Sequence, residues 1–313
     1  MSEQRVLVTG GAGFIGSAVG ARFAAGGHAV RVLDDLSTGR REHCDPSWEL
    51  IEGDIADPGV VEAAVAGCAA VAHLAAFVSV PASFERREEC ERTNIAGTRD
   101  IIAACLRHGV HKLVFASSCS VYAEGEEDPL RETATPGPKS PYAESKLEGE
   151  RLLAEADLAS LALRFFNVYG PRQRAGAGYA AAVPNFMRAA LAGEALSVFG
   201  DGRQSRDFVH VADVAEAVFQ AAHRDATGVL NVGTGSRTEI AHLAQTIARL
   251  AGQGAELRFE SARPGDMRSA TADVTRVAAA LGWRAAHGIE QGLAETLVWW
   301  RTRMAEPQAA GSS

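Results

Sequence analysis

The sequence has few cysteines, and their spacing does not indicate a shared chemical task. The 313 residues include five cysteines, an odd number, and no two of them are spaced as Cys-x-x-Cys. This pattern argues against a disulfide framework and against a cysteine-based metal site. We therefore expect reduced thiols and no bound metal.

Long apolar runs and basic clusters are also missing. No stretch approaches the ~20 apolar residues of a membrane-spanning helix. The net charge is −8 and no basic cluster stands out, which argues against nucleic acid and anionic membranes as partners. The first strand-like segment begins at Arg5 and leaves no room for a signal peptide. We expect a cytoplasmic protein.

Strand-like and helix-like segments alternate through the first half of the chain. The strand-like runs are residues 5–9, 29–33, 48–51, 69–76, 112–116 and 161–165. Helix-like segments follow residue 13, at 58–66 and 83–108, and begin again at Pro141. This alternation predicts an α/β fold in which helices cover both faces of a parallel sheet.

The pattern becomes irregular after about Asn167. Predicted helices lie near residues 179–191, 211–222, 238–250 and 289–301. Predicted short strands lie at residues 196–199, 229–232 and 257–259. A smaller lobe that follows the sheet fits this half best, and the tail from Glu306 has a composition typical of disorder.

A glycine-rich segment follows the first predicted strand and precedes a helix. In Gly10-Gly-Ala-Gly13-Phe-Ile-Gly16, the glycines allow a tight turn and a close approach of backbone to a pyrophosphate. The N–H groups at the start of the helix then face the phosphates. The next strand ends in Asp34-Asp35, at the spacing expected for carboxylates that bind the adenine ribose. The segment predicts dinucleotide binding.

The same acidic pair bears on the choice of dinucleotide. Carboxylates at this position repel a 2′-phosphate, so the pair favours NAD over NADP. Arg40 and Arg41 lie close by and weaken that preference a little.

A tyrosine and a lysine stand four residues apart at the start of another predicted helix. Ser140-Pro141 is typical of a helix start, and Tyr142 and Lys146 share one face of that helix. A neighbouring ammonium favours phenolate, so we expect Lys146 to lower the pKa of Tyr142. The pair is a candidate general base for an alcohol.

Together these segments resemble the extended short-chain dehydrogenase/reductase family, and within it the nucleotide-sugar epimerases and dehydratases. The resemblance covers roughly residues 5–300. Further motifs that carry it are Gly53-Asp54-Ile55, His73-Leu-Ala-Ala76, Ser117-Ser118, Arg164-Phe-Phe-Asn-Val-Tyr-Gly-Pro171, Arg206-Asp-Phe-Val-His210 and Arg263-Pro-Gly-Asp266. The resemblance implies a Rossmann doubly wound parallel sheet with a smaller C-terminal α/β substrate lobe.

The resemblance also implies domain limits, a cofactor and an assembly. Residues 1–170, with some later segments, would form the NAD-binding domain, residues 171–305 mainly the nucleotide-sugar lobe, and residues 306–313 a disordered tail. The expected assembly is a homodimer that packs the helix before Lys112 and the helix bearing Tyr142 into a four-helix bundle. The expected NAD-binding residues are Gly10, Gly13, Phe14, Ile15, Gly16, Asp34, Asp35, Leu36, Ser37, Thr38, Gly39, Asp54, Ile55, Leu74, Ala75, Ala76, Asn94, Tyr142 and Lys146.

For the substrate, the resemblance implies a sugar attached to a nucleoside diphosphate, UDP or dTDP. Ser118, Tyr142 and Lys146 match the catalytic residues, and Ser118 would bond the sugar oxygen that loses its proton. The expected substrate-binding residues are Ser79, Ser118, Cys119, Asn167, Asn185, Arg206, Arg263, Asp266 and Ala270. Of these, Arg206 and Arg263 would clamp the diphosphate.

The residues after Ser118 indicate which reaction follows oxidation at the sugar C4. Related dehydratases carry Asp-Glu where this chain has Cys119-Ser120, and decarboxylating relatives carry a glutamate at Ser120. With no carboxylate there, the hypothesis is 4-epimerisation through a transient 4-keto sugar. Dehydration remains an alternative because a few dehydratases carry a cysteine at the position of Cys119.

Three further points stay open. In 4-epimerases, the position of Ala270 limits the room for the C2 substituent, and its small side chain here suggests that UDP-GlcNAc and UDP-GalNAc are accepted with UDP-glucose and UDP-galactose. UDP-glucuronate is a further candidate substrate. A cofactor-sensing regulator without catalysis is disfavoured because the tyrosine and the lysine are both present.

Overall fold

The computed structural model describes residues 4–125, 128–175, 182–252, 254, 256–261 and 268–305. The strands are β1 (Arg5–Thr9), β2 (Ala29–Asp34), β3 (Glu49–Glu52), β4 (Ala70–His73), β5 (Lys112–Ser118), β6 (Ser160–Phe165), β7 (Asn167–Tyr169), β8 (Leu196–Phe199), β9 (Ser205–Arg206), β10 (Phe208–His210), β11 (Gly228–Val232), β12 (Thr238–Glu239), β13 (Leu257–Glu260) and β14 (Ser269–Ala270).

Helices cover the sheet and build most of the second lobe. They are α1 (Phe14–Ala25), α2 (Pro58–Val65), α3 (Val80–Glu85), α4 (Arg87–Glu91), α5 (Gly97–His108), α6 (Pro141–Glu155), α7 (Ala182–Ala192), α8 (Val211–His223), α9 (Ile240–Ala251), α10 (Thr275–Leu281) and α11 (Ile289–Ala305). None of the described helices is long and apolar enough to cross a bilayer.

Seven parallel strands form the central sheet in the order β11-β6-β5-β4-β1-β2-β3. Read from the other edge, the first six strands follow the 3-2-1-4-5-6 order of the Rossmann fold, as the family resemblance implied. The order reverses between β1 and β4, and ligands of such sheets bind outside the carboxyl ends of the strands at that point.

Side chains of the central strands alternate between two apolar cores. In β1, Val6 and Val8 belong to the core on one face, and Leu7 belongs to the core on the other. Helices α1 and α8 cover the first face, and α2, α5 and α6 pack on the second. A third core, around Met187, Leu243 and Leu293, belongs to the later lobe.

Most of the predicted elements are confirmed, but the single helix predicted over residues 83–108 is wrong. That segment is divided into α3, α4, a π-helical turn at Arg92–Ala96 and α5. Arg86 leaves the helical region with φ −123° and ψ 50°. Within the π turn, the Asn94 side chain accepts a hydrogen bond from Phe77 N at 2.7 Å and donates one to Phe77 O at 3.1 Å. Only the tertiary fold brings Phe77 to this turn, so the helical pattern could not reveal the break.

A buried ion pair joins the helix that carries Tyr142 to the sheet. Glu150 of α6 accepts two hydrogen bonds from Arg164 of β6, at 2.9 Å from Nε and 2.7 Å from Nη2. Ser117 of β5 donates a third at 2.5 Å. Both charged side chains are about 5% exposed or less, so each depends on the other for its partner.

We predict that Glu150→Gln lowers the free energy of unfolding by about 3 kcal/mol, because it leaves the Arg164 charge buried without a counter-charge. Glu148→Gln on the same helix is the matched control, since Glu148 pairs with the exposed Arg151. We expect the control to change stability by less than about 0.5 kcal/mol. Urea titration of both variants measures the difference, and equal effects would contradict the prediction.

Candidate functional site

A cavity of about 570 Å³ lies at the carboxyl edge of the central sheet, a volume within the range of cofactor sites. Its walls come from the segments that follow β1, β2, β4, β5 and β6, together with the start of α6. The cavity therefore occupies the place where the strand order reverses, which is where the glycine segment and the Tyr142 helix were expected to meet.

The glycine turn after β1 forms one wall, and its shape requires glycine at two positions. Gly10 has φ +69°, and a Cβ there would stand 2.8 Å from Ala75 N. At Gly16, a Cβ would stand 2.0 Å from Gly10 O. Gly13 precedes α1 and has no side chain that could accept hydrogen bonds from the first N–H groups of the helix. Phe14 and Ile15, in the first turn of α1, border the cavity. These features fit a pyrophosphate.

Asp34 supports this wall from the end of β2. Its carboxylate accepts hydrogen bonds from Ala12 N and Leu36 N, each at 2.9 Å. Burial raises the pKa of Asp34, and these two N–H donors oppose the rise. Asp34 thereby ties the glycine turn to the segment that follows β2.

The two arginines near this end of the cavity are engaged with carboxylates. Arg40 contacts Glu42 at 3.2 Å, and Arg41 pairs with Glu52. Their pairing reduces the support that they could give to a 2′-phosphate. The carboxylates Asp34 and Asp35 line the cavity, as expected for an NAD site.

Thr9 and His73 hold the loop after β4 in place. Thr9 Oγ1 accepts hydrogen bonds from Leu74 N and Ala75 N, both at 3.1 Å, and lies 2.7 Å from His73 Nδ1. Thr98 Oγ1 lies 3.0 Å from His73 Nε2. Burial lowers the pKa of His73 to about 3, helped by the charge of Lys146, so the ring is neutral near pH 7.

The predicted catalytic residues meet on the same cavity. Helix α6 begins as expected: Ser140 Oγ accepts from Ala143 N at 3.1 Å, and Pro141 occupies the first turn. The Ser118 hydroxyl lies near enough to the Tyr142 hydroxyl to favour its ionised form. Lys146 Nζ stands 5.0 Å from the centre of the Phe115 ring and 5.9 Å from that of Tyr142. These three polar groups are placed to act on one alcohol.

The expected effect of Lys146 on Tyr142 is wrong for the protein without ligands. Burial raises the pKa of Tyr142 to about 12, and the Ser118 hydroxyl only opposes that rise. Burial also lowers the pKa of Lys146 to about 8, which weakens its charge near working pH. Desolvation disfavours the charged form of both groups, and it is the largest cause of both shifts.

A profile of the NAD-dependent epimerase/dehydratase family matches residues 6–233. The chain belongs to this family. It is 37% identical to the UDP-glucose 4-epimerase of Mycolicibacterium smegmatis, over 96% of this chain and 99% of that one. The structure of the Thermus thermophilus UDP-glucose 4-epimerase in complex with NAD matches with a TM-score of 0.88 and 36% identity, over 95% and 99% of the two chains.

A third relative is a UDP-N-acetylglucosamine 4-epimerase from Methanobrevibacter ruminantium, solved in complex with UDP-N-acetylmuramic acid. Its TM-score is 0.92 and its identity 34%, over 97% of this chain and 100% of that one. The relatives of this epimerase/dehydratase chain thus include enzymes named for plain and for acetamido hexoses.

Of the expected cofactor residues, most line the cavity and three do not. Leu36 adopts φ 58° and bonds Asp34 through its N–H. At Gly39, a Cβ would stand 2.6 Å from Asp34 Oδ1. Asn94 is buried behind the wall, where its side chain bonds Phe77 and Ser145. These three residues therefore contact residues that line the cavity, namely Asp34 and Phe77.

The expected substrate residues fall into two groups. Cys119 and Ala270 belong to the same apolar cluster as Phe166, which lines the cavity. Arg206 pairs with Ala270 between neighbouring strands, and Asn167 lies between lining residues Phe166 and Val168. Burial raises the pKa of Cys119 to about 12, so its thiol is neutral.

The remaining expected substrate residues lie elsewhere or outside the described part of the chain. Ser79 is exposed and caps α3 by accepting from Ala82 N at 3.2 Å. Asn185 is partly buried on α7. Arg263 and Asp266 lie outside the described residues.

Several residues that line the cavity were not among those predicted from the sequence. They include Phe165, Phe166, Arg172, Gln173 and Arg174, which belong to or directly follow the motif Arg164–Pro171. Arg172 donates to His43 O at 3.1 Å and Arg174 to Thr38 O at 3.2 Å. The position of this motif after a predicted strand was the signal that could have found them.

Proposed function

We propose that the protein is an NAD-dependent 4-epimerase of UDP-sugars. The observation that carries the proposal is the distribution of acids around Tyr142. Among the described cavity-lining residues, the carboxylates are Asp34, Asp35, Asp54 and Glu89. Asp34 ends β2, Asp35 and Asp54 follow β2 and β3, and Glu89 is held by Arg86 at 2.7 and 2.5 Å.

The position where related dehydratases carry an acid holds Ser120. Its Oγ is buried and has no hydrogen-bond partner in the described part of the chain. A hydroxyl with an ordinary pKa is a poor acid for eliminating water from a sugar. Cys119, which follows Ser118, carries a thiol whose pKa burial raises to about 12. Tyr142 beside Ser118 suits a reaction that removes a proton and later returns it.

In the proposed mechanism, Tyr142 accepts the proton of the sugar C4 hydroxyl while Ser118 holds that oxygen. The cavity-lining residues, among them Gly10, Asp34 and Lys146, would hold NAD, which would supply reversible hydride exchange at the sugar C4. Tyr142 then gives the proton back. Because the pKa of Tyr142 is about 12 in the free protein, we expect the phenolate to form only when ligands bring positive charge into the cavity.

We predict that Tyr142→Phe lowers turnover of UDP-galactose by about 10²- to 10⁴-fold, the usual contribution of a general base. Bound NAD should be retained, because the phenyl ring still fills the wall. Tyr122→Phe is the control, since Tyr122 bonds Asn231 away from the cavity at 2.6 Å. Coupled assays measure turnover, and release of nucleotide on denaturation measures the cofactor.

Product analysis in the same assay separates the reaction types. An epimer has the mass of the substrate, whereas a product lighter by one water would indicate a dehydratase. Unchanged turnover in Tyr142→Phe would contradict the role of Tyr142 as the base, whereas a native protein that binds NAD but turns over no UDP-sugar would favour a cofactor-sensing regulator.

We further propose that the enzyme accepts acetamido sugars as well as plain hexoses. Ala270 is 1% exposed and belongs to the same apolar cluster as Phe166, which lines the cavity. A larger residue at position 270 would need space within that cluster, and Phe166 is the cluster member that borders the cavity. The small side chain therefore supports room for an acetamido group at C2.

We predict that Ala270→Tyr reduces kcat/KM for UDP-GlcNAc at least tenfold more than for UDP-glucose. The expected cause is steric, because one misplaced group in a packed pocket changes discrimination by about 1–3 kcal/mol. Ala270→Ser is the control and should leave the ratio unchanged. A native enzyme that converts plain hexoses but no acetamido sugar would contradict the proposal.

We also propose the domain division predicted from the sequence, with residues 1–170 as the NAD-binding domain and residues 171–305 mainly as the sugar-nucleotide lobe. We propose that the protein is cytoplasmic. The entry of β11 into the central sheet supports the return of later segments to the first domain. The separate apolar core around Met187 supports the second.

A homodimer formed by α5 and α6 is proposed as the assembly. Ala143 and Leu153 of α6 are in the core of one chain, so they are not available for the contact, but Leu147 and Leu152 remain partly exposed. Leu106 on α5 is 47% exposed. Opposing α5–α6 pairs could bury these side chains in a four-helix bundle.

We predict a solution mass of twice 32.9 kDa by light scattering. Leu106→Glu should shift the protein toward monomer, because a carboxylate is costly to bury in an apolar interface. Val298→Glu is the matched control, since Val298 is 63% exposed on α11. A native monomer, or equal shifts in both variants, would contradict the proposed interface.

A further inference from the structure

Two histidines and a glutamate meet in the later half of the chain, outside the cofactor cavity. His210 ends β10, His287 precedes α11, and Glu295 lies within α11. One nitrogen of each histidine and one carboxylate oxygen of the glutamate lie within 4.8 Å of one another. Three donors from three segments are therefore brought together by the tertiary fold.

His210 has a buried nitrogen with no partner. The residue is 3% exposed, and its Nε2 makes no hydrogen bond within the described residues. Its other nitrogen, Nδ1, receives only a long hydrogen bond of 3.4 Å from Ala212 N. Leaving a buried polar atom unsatisfied costs about 1–3 kcal/mol, so such an atom calls for an explanation.

His287 is oriented by a buried carboxylate. Its Nδ1 lies 2.9 Å from Asp213 Oδ1, and Asp213 also accepts from Ala286 N at 3.0 Å and His287 N at 3.1 Å. This arrangement turns His287 Nε2 toward Glu295 Oε2, 3.7 Å away. Histidines that bind metals commonly donate their second nitrogen to a carboxylate in this way.

We propose that His210, His287 and Glu295 bind a divalent transition-metal cation of the Zn²⁺ class. Two imidazoles and one carboxylate suit Zn²⁺ and its neighbours, whereas Mg²⁺ and Ca²⁺ prefer oxygen ligands. The Glu295 side chain is 46% exposed, so water can complete the coordination. Without a cation, the lone pair of His287 Nε2 faces the Glu295 carboxylate, which also carries lone pairs. A cation between them would accept electron density from both.

Binding requires one local change at His210. For Nε2 to offer its lone pair, Nδ1 must carry the proton, which excludes the hydrogen bond from Ala212 N. That bond is long at 3.4 Å, so its loss is small beside a metal–nitrogen bond. The cysteine spacing gave no hint of this site because none of its donors is a cysteine.

The site would fasten the last helix to the rest of the molecule. Trp283, shortly before His287, already donates from Nε1 to Asp213 O at 3.0 Å. A metal bound by His210 and Glu295 would add a link from the residue that precedes α8 to α11 itself. Because the unfolded chain does not hold the three donors together, binding should raise thermal stability.

The test is zinc binding by the full chain after treatment with a chelator and desalting. We expect one Zn²⁺ per chain by competition with a chromophoric chelator, and a higher unfolding midpoint when ZnCl₂ is added. His287→Gln and Glu295→Gln should each weaken binding at least tenfold and abolish the rise in midpoint. Glu290→Gln on the same helix is the matched control, since Glu290 pairs with Arg249 at 2.6 Å.

A second histidine pair provides a check on surface binding. His28 is partly exposed and His223 is exposed, and their Nε2 atoms lie 3.0 Å apart. If His28→Gln removes the bound zinc while His287→Gln retains it, the proposal is overturned. It is also overturned if no stoichiometric zinc binds to the full chain. Neither result depends on epimerase activity.

Discussion

The close contact between the glycine turn after β1 and the loop after β4 determines the rest of the site. Gly10 lacks a Cβ, so Ala75 can approach it, and Thr9 Oγ1 accepts the N–H groups of Leu74 and Ala75. The two loops diverge from this contact because the strand order continues from β1 toward one edge of the sheet and from β4 toward the other. The cavity opens between them, with the dinucleotide wall on one side and α6 on the other.

A second constraint sets the distance between Tyr142 and Ser118. Glu150 lies on the same side of α6 as Lys146, one turn further along, and its carboxylate is held by Arg164 and Ser117. Ser117 directly precedes Ser118 at the end of β5. The ion pair thus joins the helix with the base to the strand with the hydroxyl, and it links the stability of the fold to the geometry of the site.

The elements predicted well are those in which local pattern and tertiary environment agree. The glycine turn, the Ser140-Pro141 helix start and the buried parallel strands depend on residues close together in the chain. The continuous helix over residues 83–108 failed because Asn94 bonds Phe77 and a π turn replaces regular helix. The lowered pKa expected for Tyr142 failed because spacing on a helix gives proximity but not desolvation.

The sequence alone determined the fold class and the dinucleotide wall, because both follow from patterns that repeat along the chain, and the catalytic roles of Ser118, Tyr142 and Lys146 stay a prediction. The tertiary structure decided which of them face the cavity, how far burial moves the pKa values of Tyr142 and Lys146, and where distant donors such as His210, His287 and Glu295 meet. Those properties depend on what surrounds a side chain from other segments, and such surroundings exist only once the chain has folded.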